Sequence, residues 1–270
     1  MILRLLLVTV TAIAIAACSS DKPKPVAAKK RQPAEAVYNI ALELLENERF
    51  RSASERFDEV ERLYPYSVWA TKAQLMSVFS NYMIDEYDTA IASAERFIRL
   101  HPGSDDIPYA YYMIAISHYE QISDVQRDQG RTTKALETLQ EVVRRFPRSE
   151  YAVDAQAKIA LTRDHLAGKE MRIGLYYLKR KHFAAAINRF QTVIQNFQTT
   201  NHTPEALHRL TEAYLSLGIL DEARATAAVL GHNYPNSVWY RDSYALLSGK
   251  NLAPGESEGS WISRTWNAIF

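Results

Sequence analysis

Side chains able to do chemistry are sparse in this chain, and they are not grouped. Its seven histidines are scattered with no His-x-x-x-His pair, and its one cysteine, Cys18, has no second thiol for a metal or a disulfide. There is no glycine-rich phosphate loop and no G-x-S-x-G serine motif. His202 and His208 fall in a turn and on a helix, where solvated rings are a simpler reading than ligands. Acidic pairs such as Asp105-Asp106 sit where a helix start favours negative charge. Enzyme activity, a metal and a cofactor are therefore not expected. A formal net charge of +1 gives no reason to expect nucleic acid as a partner.

Cys18 is the exception, because its position points to covalent modification. Arg4 precedes an apolar run from Leu5 to Ala17, interrupted only by Thr9 and Thr11. Such a run is too short to span a bilayer but suits the apolar core of a secretory signal. It ends Ile15-Ala16-Ala17-Cys18, which resembles the bacterial lipobox, where the cysteine becomes the acylated first residue of the mature protein. The competing reading is an ordinary signal peptide with a chance cysteine. Ser19 follows, not the aspartate associated with inner-membrane retention, so an outer-membrane address is implied. Each buried CH₂ of an acyl chain is worth about 0.8 kcal/mol, so a multiply acylated Cys18 is a firm anchor to the membrane leaflet. Residues 1–17 thus read as a signal peptide. Residues 18–33, with Lys22, Lys24, Lys29, Lys30 and Arg31, read as the lipidated cysteine and a tether.

The elements behind the tether follow from a recurring turn. Tyr64-Pro65-Tyr66-Ser67, Phe146-Pro147-Arg148-Ser149 and Tyr234-Pro235-Asn236-Ser237 share one shape, and His101-Pro102-Gly103-Ser104 is a looser copy. Their prolines lie 37, 45 and 88 residues apart. That step is longer than one helix, so each unit is a pair of helices. Proline ends a helix, and a serine two positions on is placed to cap the next. With Pro65 at position 32 of a 34-residue unit, Val37, Ile40, Ala41 and Leu44 share one helical face; Ala53, Phe57 and Val60 share another. Leu207, Leu210, Tyr214, Ala223, Ala227 and Leu230 repeat the pattern, as do Ile173, Gly174, Tyr177, Ala186, Phe190 and Val193. Tyr87, Ala90, Ala94 and Phe97 match in the second unit. Tyr111, Ile114, Ala115 and His118 match in the third, where an insertion around Asp124 to Arg131 precedes Ala135. The pattern resembles the tetratricopeptide repeat. It predicts an all-α solenoid of about five helical hairpins over residues 34–248, with a capping helix from Val238 to Leu247. One long helix is expected between Ser149 and Lys181, with Gly168 as its one weak point. Residues 249–270 form a polar linker and a short amphipathic segment. There Trp261, Ile262, Trp266, Ile269 and Phe270 would dock to a partner, the array or lipid.

Positions 2, 5, 9 and 12 of each first helix face the concave side. They hold Tyr38, Leu42 and Leu45, then Leu75, Phe79 and Tyr82, then Tyr109, Tyr112, Ile116 and Tyr119. Such a groove suits an extended apolar-aromatic peptide; the competing reading is that bending buries these residues between units. In the last unit the positions are Glu205, His208, Glu212 and Leu215, a more polar surface.

The lipobox, tether, degenerate repeats, Tyr64-Pro65-Tyr66, Tyr111-Tyr112-Met113 and above all Arg96-Phe97-Ile98-Arg99-Leu100-His101-Pro102 together resemble the BamD (ComL) family of outer-membrane β-barrel assembly lipoproteins. The resemblance covers roughly residues 15–248. It implies a non-catalytic scaffold of the BAM complex, lipid-anchored in the outer membrane and facing the periplasm. Its amino-terminal repeats would receive targeting segments of unfolded outer-membrane proteins. Its carboxy-terminal repeats would dock on the last POTRA domain of BamA, alongside other BAM subunits. By position, the resemblance makes Tyr64 a substrate contact and places Asn188 and Arg189 at the BamA surface. A turn-packing tyrosine and a solvated arginine are the alternatives. The rival reading is another periplasmic repeat lipoprotein, such as a Tol-Pal-associated coordinator of the envelope. The tail is a departure from familiar members of the family.

Overall fold

The computed structural model describes residues 32–125, 127–255 and 260–269, with side chains placed as far as Trp266. The expected signal peptide, Cys18, most of the tether and Phe270 lie outside the described residues. Among those described there are twelve helices and no strand. Five hairpins follow one another: α1 (Ala34–Glu46) with α2 (Phe50–Leu63), and α3 (Val68–Met83) with α4 (Tyr87–Leu100). Then come α5 (Ile107–Glu120) with α6 (Gly130–Arg145), α7 (Glu150–Lys179) with α8 (Phe183–Asn196), and α9 (Thr203–Leu217) with α10 (Leu220–Asn233). The last two helices are α11 (Val238–Ser248) and α12 (Trp261–Ile269). From α1 to α10 each helix packs chiefly on its sequence neighbours, which is how a solenoid distributes its core; α11 lies mainly on α9 and α12 on α10.

The recurring turn is one structure used five times. Tyr64, His101, Phe146, Phe197 and Tyr234 each end a helix with φ between −127° and −136°. Each still donates its N–H four residues back, to Val60, Phe97, Val142, Val193 or Leu230. Its own carbonyl then accepts, at 3.0 Å, from the N–H of Ser67, Ser104, Ser149, Thr200 or Ser237. Gln198, standing in place of proline, does not alter the turn. The serine caps are only partly as expected. Ser67 Oγ accepts from Ala70 N at 3.1 Å and Ser237 Oγ from Trp239 N at 3.2 Å. Ser149 instead donates back to Phe146 O at 2.9 Å, so it closes the turn and leaves the next helix uncapped.

Within hairpins, the turn is a single left-handed residue: Glu48, Asp85, Lys181 or Gly218, at φ 58°, 63°, 61° and 74°. The third hairpin carries the insertion instead. There Gln129 is buried and organises the loop, donating to Asp124 O at 3.2 Å and Arg127 O at 3.0 Å while accepting from Thr132 Oγ1 at 2.8 Å.

Small residues let the paired helices meet. Ala41, Ala53, Ala94, Ala115, Ala135, Ala186, Ala223 and Ala227 have no exposed surface. Phe57, Phe97 and Phe190 are buried beside them, each worth about 1.5–3 kcal/mol on leaving water. Ile40 is a correction: it is 37% exposed, because α1 opens the described stack and no earlier hairpin covers that edge. The long helix α7 is continuous over 30 residues, through Gly168. Its first half joins Ala155 to Leu139 and Val142, and its second half enters the carboxy-terminal core through Ala167, Met171 and Leu178.

The tail docks on the array. Ile262 is fully buried and Trp266 is 7% exposed, both in the core that includes Leu230 of α10. Glu222 caps the tail helix, its carboxylate accepting from Ser260 Oγ at 2.6 Å and from Trp261 N at 2.9 Å.

Candidate peptide-binding surface

The first helices of the second and third hairpins, α3 and α5, present the aromatic strip. Phe79, Tyr82, Tyr109 and Tyr112 are half-buried against one core cluster, and half-buried Tyr119 packs on the next. Phe79 meets Phe50 edge-on at 6.5 Å between centroids, and Tyr82 meets Tyr87 at 5.7 Å. Tyr151, at the start of α7, stacks on Tyr112 at 5.1 Å and tilts against Tyr109 at 5.6 Å. The hydroxyls point to carboxylates. Tyr112 donates to Asp154 Oδ2 at 2.7 Å, Tyr82 to Glu120 Oε1 at 3.3 Å, and Tyr87 to Asp85 Oδ1 at 2.7 Å.

This arrangement raises the phenol pKa values of the strip. Burial, then the charge of Glu120, pushes the Tyr82 phenol up to about 12, and burial pushes Tyr109 up to about 12. Tyr112 is raised further by burial and then by its bond to Asp154; Tyr87 is raised first by its bond to Asp85. These phenols stay protonated at neutral pH. They are donors and ring faces, not nucleophiles.

Three of the expected groove residues are core residues instead. Tyr38 is 9% exposed, held between Phe57 at 5.5 Å and Trp69 at 5.0 Å, because the next hairpin swings Trp69 over it. Leu75 is 7% exposed, packed with Phe97 and Ala110. Ile116 is likewise buried. Tyr64 packs against the first core and donates its hydroxyl to Gln32 O, tying down the point where the chain enters α1. Sequence positions missed Tyr87 and Tyr151, since neither occupies a concave position of a repeat. Their signal was the clustering of tyrosine near the ends of these helices.

The run Arg96 to Pro102 is a staple between hairpins. Arg96 pairs with Glu61 of α2, which also accepts from Gln74 Nε2 of α3 at 2.8 Å. His101 Nε2 lies 2.9 Å from Gln74 Oε1 and its ring tilts over Phe97 at 5.0 Å.

In the carboxy-terminal half, Arg189 pairs with Glu170 at 3.1 Å, so it is not a freely solvated side chain. With exposed Asn188 it borders an open pocket of about 210 Å³ lined also by Tyr177, Ala185 and Thr192. The polar face of the last hairpin is mostly self-paired. Arg209 reaches Glu205 at 3.3 Å and Glu212 at 3.0 Å and lies over Trp239. His208 corrects an expectation: it is buried, with Nδ1 2.9 Å from Ser243 Oγ, and not solvated. Burial, and next the Arg209 charge, hold its pKa below 6.5. Half-buried His202 lies 3.7 Å from Asp164. Among the described residues no group of three His, Cys, Asp or Glu side chains is placed to hold a metal. None of the described helices is long and apolar enough to cross a membrane.

Stacked hairpins with a half-buried aromatic strip define a helical-repeat scaffold. The family model described as "YfiO: Outer membrane lipoprotein" matches residues 30–230. The chain is 47% identical over 231 residues to the outer membrane protein assembly factor BamD of Caulobacter vibrioides, covering 86% of this chain and 76% of that one. It is 45% identical to BamD of Rickettsia prowazekii over 80% of this chain and 86% of that one. The chain belongs to the BamD family. Among solved structures it is similar to the TPR2AB domain of yeast Sti1 in its pHSP90 complex, with TM-score 0.42 and 15% identity over 81% of this chain and 84% of that one.

Proposed function

We propose that this chain is a lipid-anchored, non-catalytic scaffold for assembling β-barrel proteins into the outer membrane. Membership of the BamD family supports the role of outer membrane protein assembly factor. The anchor is acylated Cys18 in the inner leaflet, leaving the repeats in the periplasm. The amino-terminal hairpins receive targeting segments of unfolded outer-membrane proteins on the strip from Phe79 to Tyr119. The carboxy-terminal hairpins, around Asn188 and Arg189, dock the last POTRA domain of BamA within the BAM complex. The observation that carries the reading is the strip itself: five aromatic rings kept half-exposed on a surface built from rigid helices. Aromatic faces held in place bind at low entropic cost.

Co-purification of the mature, lipid-anchored chain from envelopes is the test. BamA is expected in the recovered material; recovery of Tol-Pal components alone overturns the reading. Arg189→Glu should reduce recovered BamA without loss of helicity. Unchanged recovery removes Arg189 from that surface.

A further inference from the structure

The strip is aromatic and also one-sided in charge. Asp85, Glu120 and Asp154 each accept from a tyrosine hydroxyl, and these three residues lie at the ends of α3 and α5 and the beginning of α7. The cations around them are few. Lys158 Nζ is 3.5 Å from Asp154, and Arg131 is turned to Gln121 Oε1 at 2.8 Å. Neighbouring Glu86 is met by Arg51 at 3.5 Å. Asp85 and Glu120 form no ion pair among the described residues.

Lys158 shows what this surface accepts. Its ammonium lies 5.0 Å from the centroid of Tyr119 while it pairs with Asp154, so one cation is held by a ring and a carboxylate together. Tyr82 and Tyr87 with Glu120 and Asp85 repeat those two ingredients without the cation. A lysine or arginine side chain suits such a place. Its aliphatic stem covers ring surface while its charge meets both the ring face and the carboxylates. An acidic side chain there would face uncompensated negative charge.

We propose that the surface formed by Tyr82, Tyr87 and Tyr112 with Asp85, Glu120 and Asp154 docks extended aromatic-apolar segments that carry lysine or arginine. This rests on the peptide-receiving reading above and adds a charge preference to it. Because successive side chains of an extended segment point to opposite faces, aromatic and basic residues two apart reach the surface together.

The test uses the mature chain in zwitterionic lipid nanodiscs, with empty discs as the blank. Three fluorescent peptides share a phenylalanine and valine framework and differ in carrying lysine, serine or glutamate two residues from each phenylalanine, on the same face of the extended chain. Anisotropy titrations at low salt should show the lysine peptide binding about tenfold more tightly than the glutamate peptide, with the gap shrinking at high salt. Asp85→Asn with Glu120→Gln, both at exposed positions, should shrink the gap at low salt, while Glu137→Gln on α6 should not. Equal binding of all three peptides, lost in Tyr112→Ala, overturns the charge preference and leaves the groove standing. If none of them binds, both readings fall.

Discussion

Two glycines in one helix should respond to alanine with opposite signs. A Cβ added at Gly174 would lie 2.4 Å from Cε1 of Phe190 and 2.8 Å from its Cδ1 and Cζ. Phe190 has no exposed surface and is held from every side, so its ring cannot withdraw without moving α8. Overpacking of this kind costs about 1–3 kcal/mol, against roughly 1 kcal/mol gained by replacing glycine with alanine inside a helix. Gly174→Ala should therefore destabilise by up to about 2 kcal/mol. At Gly168 the nearest atom is His202 Nε2 at 3.1 Å, the far end of a half-exposed ring that can rotate aside. Gly168→Ala should be neutral or stabilise by up to about 1 kcal/mol. Urea unfolding followed by far-ultraviolet circular dichroism and by tryptophan fluorescence would measure both, the two probes guarding against piecemeal melting of the array. A midpoint raised by Gly174→Ala would refute the close-contact reasoning. So would equal shifts for the two variants.

Other expectations concern pH and the tail. His208 and His118 are both held below 6.5 chiefly by burial, so between their folded values and 6.5 the unfolded chain binds more protons. Stability should fall as pH drops below 6.5. His208→Gln should flatten that slope in a thermal melt, and an unchanged slope would exclude His208 as a source. Trp266→Ala should release α12, since about 3–5 kcal/mol of burial is at stake and the loss is capped by the docking energy of the whole tail. Limited proteolysis should then cut within residues 249–260 while α1 to α11 stay intact. Unaltered resistance would mean that Trp266 does not hold the tail.

Much of the architecture was legible because its signals are local. Each proline turn is specified within four residues, and alanine at close-packed positions is fixed by its own hairpin. The long helix was legible for the same reason: nothing between Glu150 and Lys179 stops it. What failed depends on residues far apart in the chain. Tyr38 reads as a groove residue until Trp69 of the next hairpin covers it. His208 reads as a surface histidine until Ser243, 35 residues on, supplies its partner. The tail left three options open because its receiver, Glu222 on α10, looks like an ordinary acidic residue near a helix start. Spacing assigns a side chain to a face; the distance to the next unit decides whether that face is surface.

The unbroken α7 has a mechanical consequence. At about 1.5 Å per residue its 30 residues form a rod of roughly 45 Å, packed on the third hairpin at one end and on its own partner α8 at the other. A solenoid jointed at every turn can flex between neighbours, but here a beam spans the middle and ties the aromatic half to the half bearing Arg189. Tilt at one end is carried by such a rod to the other, which would keep the aromatic strip and the surface proposed for BamA at a fixed bearing to one another.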